Sequence, residues 1–204
     1  MFNRLPPVTR ALLIANVAVF LLQWGLGEAR MASFMLWPLG DQPEAFAFQP
    51  WQLLTYGFMH GGLMHLLFNM YALWLTGQYL EPVLGRVRFL ALYLVSALGG
   101  SVGYELLAAY PSVGSGWLQG TVGASGAVFG LFLAVVVLNL KLKRDITSML
   151  VVIAINAVLS LVVAGIAWQA HLGGAVTGAA CAAVLLHTGW DRRFGTPAYG
   201  SGAP

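Results

Sequence analysis

The sequence predicts an all-α protein that crosses a membrane six times, and three observations support this fold class. Apolar residues make up 59% of the 204 residues, charged residues only 8%, and the mean hydropathy is +0.78. A soluble domain usually carries about 25% charged residues. Six segments approach the roughly 20 apolar residues that a spanning helix needs, and lysine and arginine are concentrated in alternate loops. The lipid bilayer is therefore the expected solvent.

The six apolar segments are expected to form a single membrane domain over residues 1–194, followed by a flexible tail over 195–204. The connection 28–56 is too broken by proline for a spanning helix, and its aromatic residues are typical of a segment that lies partly in the membrane interface. The predicted spans are about 9–27, 57–79, 87–108, 123–140, 146–166 and 170–189.

Loop charge sets the predicted orientation, because the cytoplasmic loops of membrane proteins collect lysine and arginine. With the N-terminus inside, only Arg30 falls on the outer side. Both termini are therefore placed in the cytoplasm, and the long first loop faces outward. No nucleic-acid partner is expected, since no basic run with interleaved aromatic residues occurs. The inner cations are Arg4, Arg10, Arg86, Arg88, Lys141, Lys143, Arg144, Arg192 and Arg193.

Polar side chains from three predicted spans lie at a similar depth. Counted from the cytoplasmic ends at about 1.5 Å per residue, Ser125 and His65 lie roughly 24 Å up and His171 roughly 27 to 30 Å up. Asn69 follows His65 by one turn and shares its helix face. Polar side chains inside a membrane are costly and tend to mark functional sites. This layer is therefore the candidate site.

A serine and a histidine at one depth are typical of nucleophilic catalysis. A serine hydroxyl needs a base, and neutral imidazole is the usual one, so Ser125 is the candidate nucleophile and His171 its base. None of the seven acidic residues falls deep in a predicted span. We therefore expect a pair of serine and histidine in which the imidazole is held by packing rather than by a carboxylate.

The oxyanion that forms during acyl transfer needs hydrogen-bond donors. Ser125 lies in the predicted first turn of its helix, where backbone N–H groups have no intrahelical partner. His65 and Asn69 can present side-chain N–H groups to the same point. These three residues are the predicted oxyanion donors.

Small residues recur at a spacing of four in the predicted third, fourth and sixth spans. Such pairs allow helix backbones to approach closely in lipid, which would bring the serine and histidine helices together. Gly123 is expected to bring the chain into the start of the helix that carries Ser125. The pairs are Gly99 and Gly103, Gly126 and Gly130, and Gly174 and Gly178.

Each candidate also has a structural explanation when it is taken alone. Ser125 can be a small packing residue, and a buried histidine can simply hydrogen-bond between helices. His60, placed one turn above His65 on the same face, is interpreted as structural, and His187 as a surface residue. Facing histidines such as His65 and His171 can also hold haem or a metal ion. The His-Glu-x-x-His motif of metalloproteases and the paired aspartates of an aspartyl protease are missing.

Three segments resemble the motifs of the rhomboid intramembrane serine proteases. Gly123-Ala-Ser-Gly126 is similar to the nucleophile motif of that family, and Ala170-His-Leu-Gly-Gly-Ala-Val-Thr-Gly178 fits its Ala-His-x-x-Gly-x-x-x-Gly signature. His60-Gly-Gly-Leu-Met-His-Leu-Leu-Phe-Asn69 is similar to its second-helix His-x-x-x-Asn segment. The resemblance covers essentially residues 9–190 and indicates a bacterial protein of the minimal six-helix type.

The resemblance implies a six-helix bundle that hydrolyses peptide bonds in or near the transmembrane segments of other membrane proteins, without a metal or cofactor. It implies that Ser125 attacks, that His171 acts as general base and then acid, and that the Ser125 N–H, His65 and Asn69 bind the oxyanion. With the orientation above, it implies a bacterial inner membrane and a site open toward the periplasm. The alternative is a catalytically silent relative that binds membrane helices, against which the retention of Ser125 and His171 argues.

Two positions differ from the family pattern. The family commonly has Trp-Arg where this chain has Trp51-Gln52, which predicts the loss of an arginine contact in the first loop. A tyrosine that packs on the catalytic histidine is replaced by Phe129, whose ring face is expected to pack on His171 in the same way. The predicted fifth span, with the loop 165–169, is the candidate gate for substrates because of its position next to His171.

Overall fold

The computed structural model describes residues 5–27, 31–39, 47–108, 120–163 and 165–187. Within these ranges the regular secondary structure is helical, and its one β feature is an isolated antiparallel bridge, which confirms the all-α prediction. Two 3₁₀ turns, Ala32–Phe34 and Tyr56–Phe58, accompany the α-helices. The predicted tail 195–204 lies outside the described residues. The helices are α1 Pro7–Leu26, α2 Gln52–Thr55, α3 Leu63–Leu84, α4 Arg86–Ala108, α5 Ser125–Lys141, α6 Thr147–Val162 and α7 Trp168–His187.

Two helices differ from their predicted bounds by more than two residues. α3 begins at Leu63 rather than at 57, because residues 52–58 form α2 and a 3₁₀ turn instead. It runs on to Leu84 and stops where Gly85, with a φ of 81°, takes a left-handed conformation that glycine adopts without strain. α6 ends at Val162, short of the predicted 166, and Val163 continues in extended backbone.

The outer surface of the helices fits a lipid environment. Among the residues that the structure describes, three helices are long and apolar enough to cross a membrane, as judged by length and composition, and α5 and α6 are shorter apolar helices. Large apolar side chains face outward, for example Phe68, Val87 and Leu161, each more than half exposed. The three long apolar helices are Pro7–Leu26, Arg86–Leu107 and Trp168–His187.

Glycines allow α5 and α7 to pack backbone against backbone. A Cβ atom placed on Gly174 would lie 2.0 Å from the carbonyl oxygen of Gly126. A Cβ atom placed on Gly178 would lie 2.3 Å from the Cα atom of Gly130. Side chains at these positions would therefore separate the two helices. The close approach, which small residues permit in membranes, brings the first turn of α5 beside the first turn of α7.

A buried carboxylate joins the start of α1 to the end of α3. Glu81 is 3% exposed and accepts hydrogen bonds from the Val8 N–H at 2.9 Å, the Thr9 N–H at 2.7 Å and the Thr9 hydroxyl at 2.7 Å. The first N–H groups of a helix lack intrahelical partners, and the helix dipole favours an anion there. Tyr79 donates to Asn139 and joins the ends of α3 and α5. The start of α1 and the ends of α3 and α5 therefore lie at one end of the molecule.

Gln52 anchors the first loop in place of the arginine that the family pattern has at this position. Its side chain is 1% exposed and accepts hydrogen bonds from the N–H groups of Trp37 at 3.4 Å and Gln49 at 3.1 Å. Its amide group donates to the carbonyl oxygen of Ser33 at 3.1 Å. A neutral amide thus satisfies three backbone groups, and the loop is anchored without a guanidinium group.

Candidate active site

Backbone hydrogen bonds hold the segment that leads into Ser125. Thr121 exchanges two backbone hydrogen bonds, of 2.8 and 3.1 Å, with Leu36, which belongs to the first loop. The Gly123 N–H donates to the carbonyl oxygen of Tyr56 at 2.9 Å. Gly123 has a φ of 135°, which side chains disfavour. α5 then begins at Ser125. Ser125 is therefore the first helical residue, in agreement with its predicted place in the first turn.

The ring of His171 lies beside the Ser125 hydroxyl. The Nε2 atom of His171 is 2.8 Å from Ser125 Oγ, a hydrogen-bond distance. Phe129, one turn after Ser125, stacks on the imidazole with the ring centroids 4.3 Å apart and the planes 11° from parallel. His171 as a whole residue is 9% exposed. Two predicted residues on different helices thus meet, and α5 supplies both the hydroxyl and the stacking ring.

His65 lies over Gly123, next to the same hydroxyl. A Cβ atom placed on Gly123 would lie 2.7 Å from both His65 Cε1 and Nε2, and 3.4 Å from Ser125 Oγ. The Gly61 N–H donates to His65 Nδ1 at 3.4 Å. An Nδ1 atom that accepts cannot carry the ring proton of a neutral imidazole, so the proton is on Nε2. The N–H of His65 is therefore on the side of the ring that faces Gly123.

Asn69 lies on α3 one turn after His65 and is 5% exposed. Its side-chain amide donates to the backbone carbonyl oxygen of His65 at 3.0 Å. An amide has two N–H donors, and this bond uses one of them. The bond ties the Asn69 side chain to the turn that carries His65.

A second serine, Ser160 of α6, contacts the other side of the His171 ring. Its Oγ atom is 2.7 Å from His171 Nδ1. The Ser160 hydroxyl donates to the backbone carbonyl oxygen of Asn156 at 2.6 Å. The imidazole is therefore held by a serine hydroxyl as well as by the expected packing, here against the ring of Phe129. The sequence does mark this position, because Asn156 and Ser160 are a polar pair four residues apart within an apolar segment.

His60 does not lie on the helix that carries His65, contrary to prediction. It lies in the short link before α3, where its backbone is held by two hydrogen bonds with the Gln23 side chain, of 2.9 and 3.1 Å. Its ring is 2% exposed and meets the His65 ring edge-on at 5.2 Å. The pair of glycines before Leu63 separates the link from the helix. His60 therefore packs against the His65 ring from outside the helix that carries His65.

This arrangement can perform nucleophilic acyl transfer, since it pairs a hydroxyl with an imidazole nitrogen and places an N–H group of His65 nearby. A haem or metal ion held by His65 and His171 fits less well, because both ring nitrogens of His171 already contact serine hydroxyls. In the described part of the chain, no group of three or more His, Cys, Asp or Glu residues is arranged to hold a metal ion.

Comparison with known proteins identifies a family and several relatives. The family model of the Rhomboid domain matches residues 47–188, which include every residue of the candidate site. The Rhomboid protease GluP of Bacillus subtilis is 36% identical over 140 residues, 66% of this chain and 26% of the relative. RHOMBOID-like protein 4 of Arabidopsis thaliana is 37% identical over 157 residues, 72% of this chain and 38% of the relative.

The Rhomboid protease GlpG of Yersinia enterocolitica matches over a longer stretch at lower identity. It is 27% identical over 188 residues, which is 92% of this chain and 63% of the relative. This chain thus spans from 26% to 63% of the length of these three relatives.

Proposed function

The chain belongs to the rhomboid family, and from this premise we propose that it is an intramembrane serine endopeptidase. The observation that carries the proposal is the distance of 2.8 Å between Ser125 Oγ and His171 Nε2. Family membership together with the apolar helices makes it an integral membrane protein. Its substrates are then membrane proteins that are cut in or near a transmembrane segment.

In the proposed mechanism, Ser125 attacks the carbonyl carbon of the scissile peptide bond while His171 Nε2 accepts the hydroxyl proton. The tetrahedral intermediate collapses when the imidazolium donates that proton to the leaving amine, which gives an acyl-enzyme. Water, deprotonated by the same imidazole, then attacks the ester, and the imidazolium returns the proton to Ser125 Oγ as the ester bond breaks and the acid product leaves. General base catalysis of this kind contributes about 10²- to 10⁴-fold to the rate.

Three donors are proposed to bind the oxyanion. The first hydrogen bond of α5 runs from the Val128 N–H to the carbonyl oxygen of Ala124. The Ser125 N–H lies before that bond, among the first N–H groups of the helix, which lack intrahelical partners. His65 contributes its Nε2–H beside Gly123, and Asn69 contributes the second N–H of its amide. One such donor is worth about 10²- to 10³-fold in rate.

Six spans with both termini in the cytoplasm are proposed as the topology. Support comes from loop charge and from the contacts that gather the start of α1 and the ends of α3 and α5 at one end of the molecule. The relatives include bacterial and plant proteins and therefore do not choose a source membrane. The proposed site opens on the side away from the cytoplasm, which in a bacterial inner membrane is the periplasm.

The second candidate function is that of a catalytically silent relative that binds membrane helices. Such a protein has no need to keep a hydroxyl within hydrogen-bond distance of an imidazole, so the pair of Ser125 and His171 favours the protease.

The proposal is tested by cleavage of a helical membrane substrate in liposomes. Ser125→Ala and His171→Ala are each expected to lower kcat by about 10⁴-fold or more, because members of such a pair act as a unit. The matched controls are Ser148→Ala and His187→Ala, both at exposed positions on α6 and α7, which should cleave like wild type. Full activity in Ser125→Ala would overturn the serine mechanism. Substrate binding by a wild-type protein that does not cleave would favour the silent relative.

A further inference from the structure

Ser160 contacts the candidate base on the side of the ring away from Ser125. Its Oγ atom is 2.7 Å from His171 Nδ1, while His171 Nε2 is 2.8 Å from Ser125 Oγ. Ser160 is 4% exposed. All 16 residues of α6 are described, and Ser160 is the one that is buried. Met149 and Ile153 of α6 are partly buried against the core, and the fully buried Ser160 side chain is the one that meets His171.

The hydrogen bonds of Ser160 determine where the imidazole proton lies. The hydroxyl has one hydrogen, and the Asn156 carbonyl oxygen, 2.6 Å from Ser160 Oγ, can only accept. With that hydrogen used, Ser160 Oγ accepts from His171, so Nδ1 carries the ring proton. If the Ser160 hydroxyl donated to an unprotonated Nδ1 instead, Ser160 Oγ and the Asn156 carbonyl oxygen would lie 2.6 Å apart with no hydrogen between them, which is unfavourable.

We propose that Ser160 is a positioning residue that holds His171 in the Nδ1–H tautomer, with the unprotonated Nε2 directed at Ser125. The proposal rests on the proposed function and deepens it, since only this tautomer can accept the proton of Ser125. When His171 becomes an imidazolium, its Nδ1–H still donates to Ser160, whose own hydrogen stays on the Asn156 carbonyl oxygen. Ser160 thus stabilises the cation without itself gaining or losing a proton.

A hydroxyl suits this role inside a membrane better than a carboxylate does. In soluble serine proteases a buried aspartate sets the tautomer of the catalytic histidine. A charged side chain within the hydrocarbon is costly, whereas a serine whose hydroxyl bonds to the carbonyl four residues earlier in its own helix is neutral and satisfied. Ser160 and Asn156 provide that arrangement on α6.

The kinetic test compares Ser160→Ala with Ser160→Thr and with Ser148→Ala. Ser160→Ala is expected to lower kcat by about 10- to 100-fold, the worth of a hydrogen bond to a charged group. KM should stay unchanged, because Ser160 is not assigned to contact substrate. Ser160→Thr keeps a hydroxyl that can bond to the same carbonyl and should retain most of the activity. Ser148 is exposed on the same helix, and its replacement should change neither parameter.

The second readout is the tautomer itself, measured by NMR on protein in detergent with ¹⁵N-labelled histidine. The chain has four histidines, and the spectrum of His171→Ala identifies the signals of His171. The wild type should show a protonated Nδ1 and an unprotonated Nε2. In Ser160→Ala the proton should shift at least partly to Nε2, since Nδ1 has lost its acceptor. Ser160→Thr should restore the wild-type spectrum.

The two proposals fail in different ways. Ser125→Ala with full cleavage ends the serine mechanism, and the spectrum still decides whether Ser160 sets the tautomer. Wild-type kcat in Ser160→Ala together with an unchanged spectrum overturns the role of Ser160. A lower kcat with an unchanged spectrum also overturns it, because the loss then has a cause other than the tautomer.

Discussion

α5 and α6 both contact the His171 ring, from opposite sides, and they differ in how they are packed. Eleven of the 17 residues of α5 are buried, whereas one of the 16 residues of α6 is buried. Both helices are apolar. Apolar composition therefore does not indicate which helix of a membrane protein lies in the centre.

The difference follows from the solvent. Lipid tails are as apolar as leucine, so helices in a membrane associate through close packing at small residues and through polar contacts. α5 carries Gly126 and Gly130, which meet glycines of α7. α6 has no glycine, and its one buried residue, Ser160, makes a polar contact with His171. The packed helix thus supplies the nucleophile, while the peripheral helix supplies a single hydrogen bond.

Beyond the catalytic pair, the largest effect is expected at His65 and Asn69, the proposed oxyanion donors on α3. His65→Ala should lower kcat by about 10²- to 10³-fold, because it removes one oxyanion donor beside Ser125. Asn69→Ala should also slow cleavage, but by less than the loss of the nucleophile. Both are measured as initial cleavage rates in liposomes, with His187→Ala as the unaffected control. A wild-type rate in His65→Ala would remove His65 from the oxyanion site.

A smaller effect is expected from disturbing the contact between α5 and α7. Gly178→Ala should destabilise the fold by about 1 to 3 kcal/mol, since overpacking a tight contact has costs of this size. The new Cβ atom would lie 2.3 Å from Gly130 Cα. Gly25→Ala on α1 is the matched control, because a Cβ atom there meets nothing within 4 Å. The free energy of unfolding in detergent measures both, and equal values would contradict the close approach of α5 and α7.

The smallest effect is expected at the stacked ring. Phe129→Leu removes the aromatic face on which His171 lies, and such stacking is worth about 0.5 to 1.5 kcal/mol. The value of kcat should therefore fall by roughly 2- to 10-fold. Phe129→Tyr keeps the ring and should cleave like wild type. If Phe129→Leu and Phe129→Tyr cleave equally fast, the ring does not orient the imidazole.

Much of the fold could be predicted because each long helix is an apolar run bounded by charge, proline or glycine. Prediction was poorest at the start of α3, since residues 57–62 are mostly as apolar or small as the helix that follows. Hydropathy does not distinguish a 3₁₀ turn and an extended link from helix. The prediction for the Gln52 position was incomplete for a related reason, because the loss of an arginine does not show that a neutral amide takes over its contacts.

The candidate site was predictable where the chain itself brings groups together. Ser125 lies two residues after Gly123 at a helix start, and Phe129 lies one turn later on the same helix. Ser160 was missed because its partner is 11 residues away on another helix. Only the rotation of α6 about its axis decides whether Ser160 faces His171 or lipid.

By itself the sequence determined that the solvent is lipid, that the protein is helical, and which serine and histidines are candidates for chemistry. The tertiary structure decided which face of each helix is buried, which nitrogen of His171 meets which hydroxyl, and how the first loop is anchored. The physical reason is that an apolar side chain in a membrane loses no water when it packs. Composition therefore does not choose the packed face, and the short contacts of glycines and hydroxyls do.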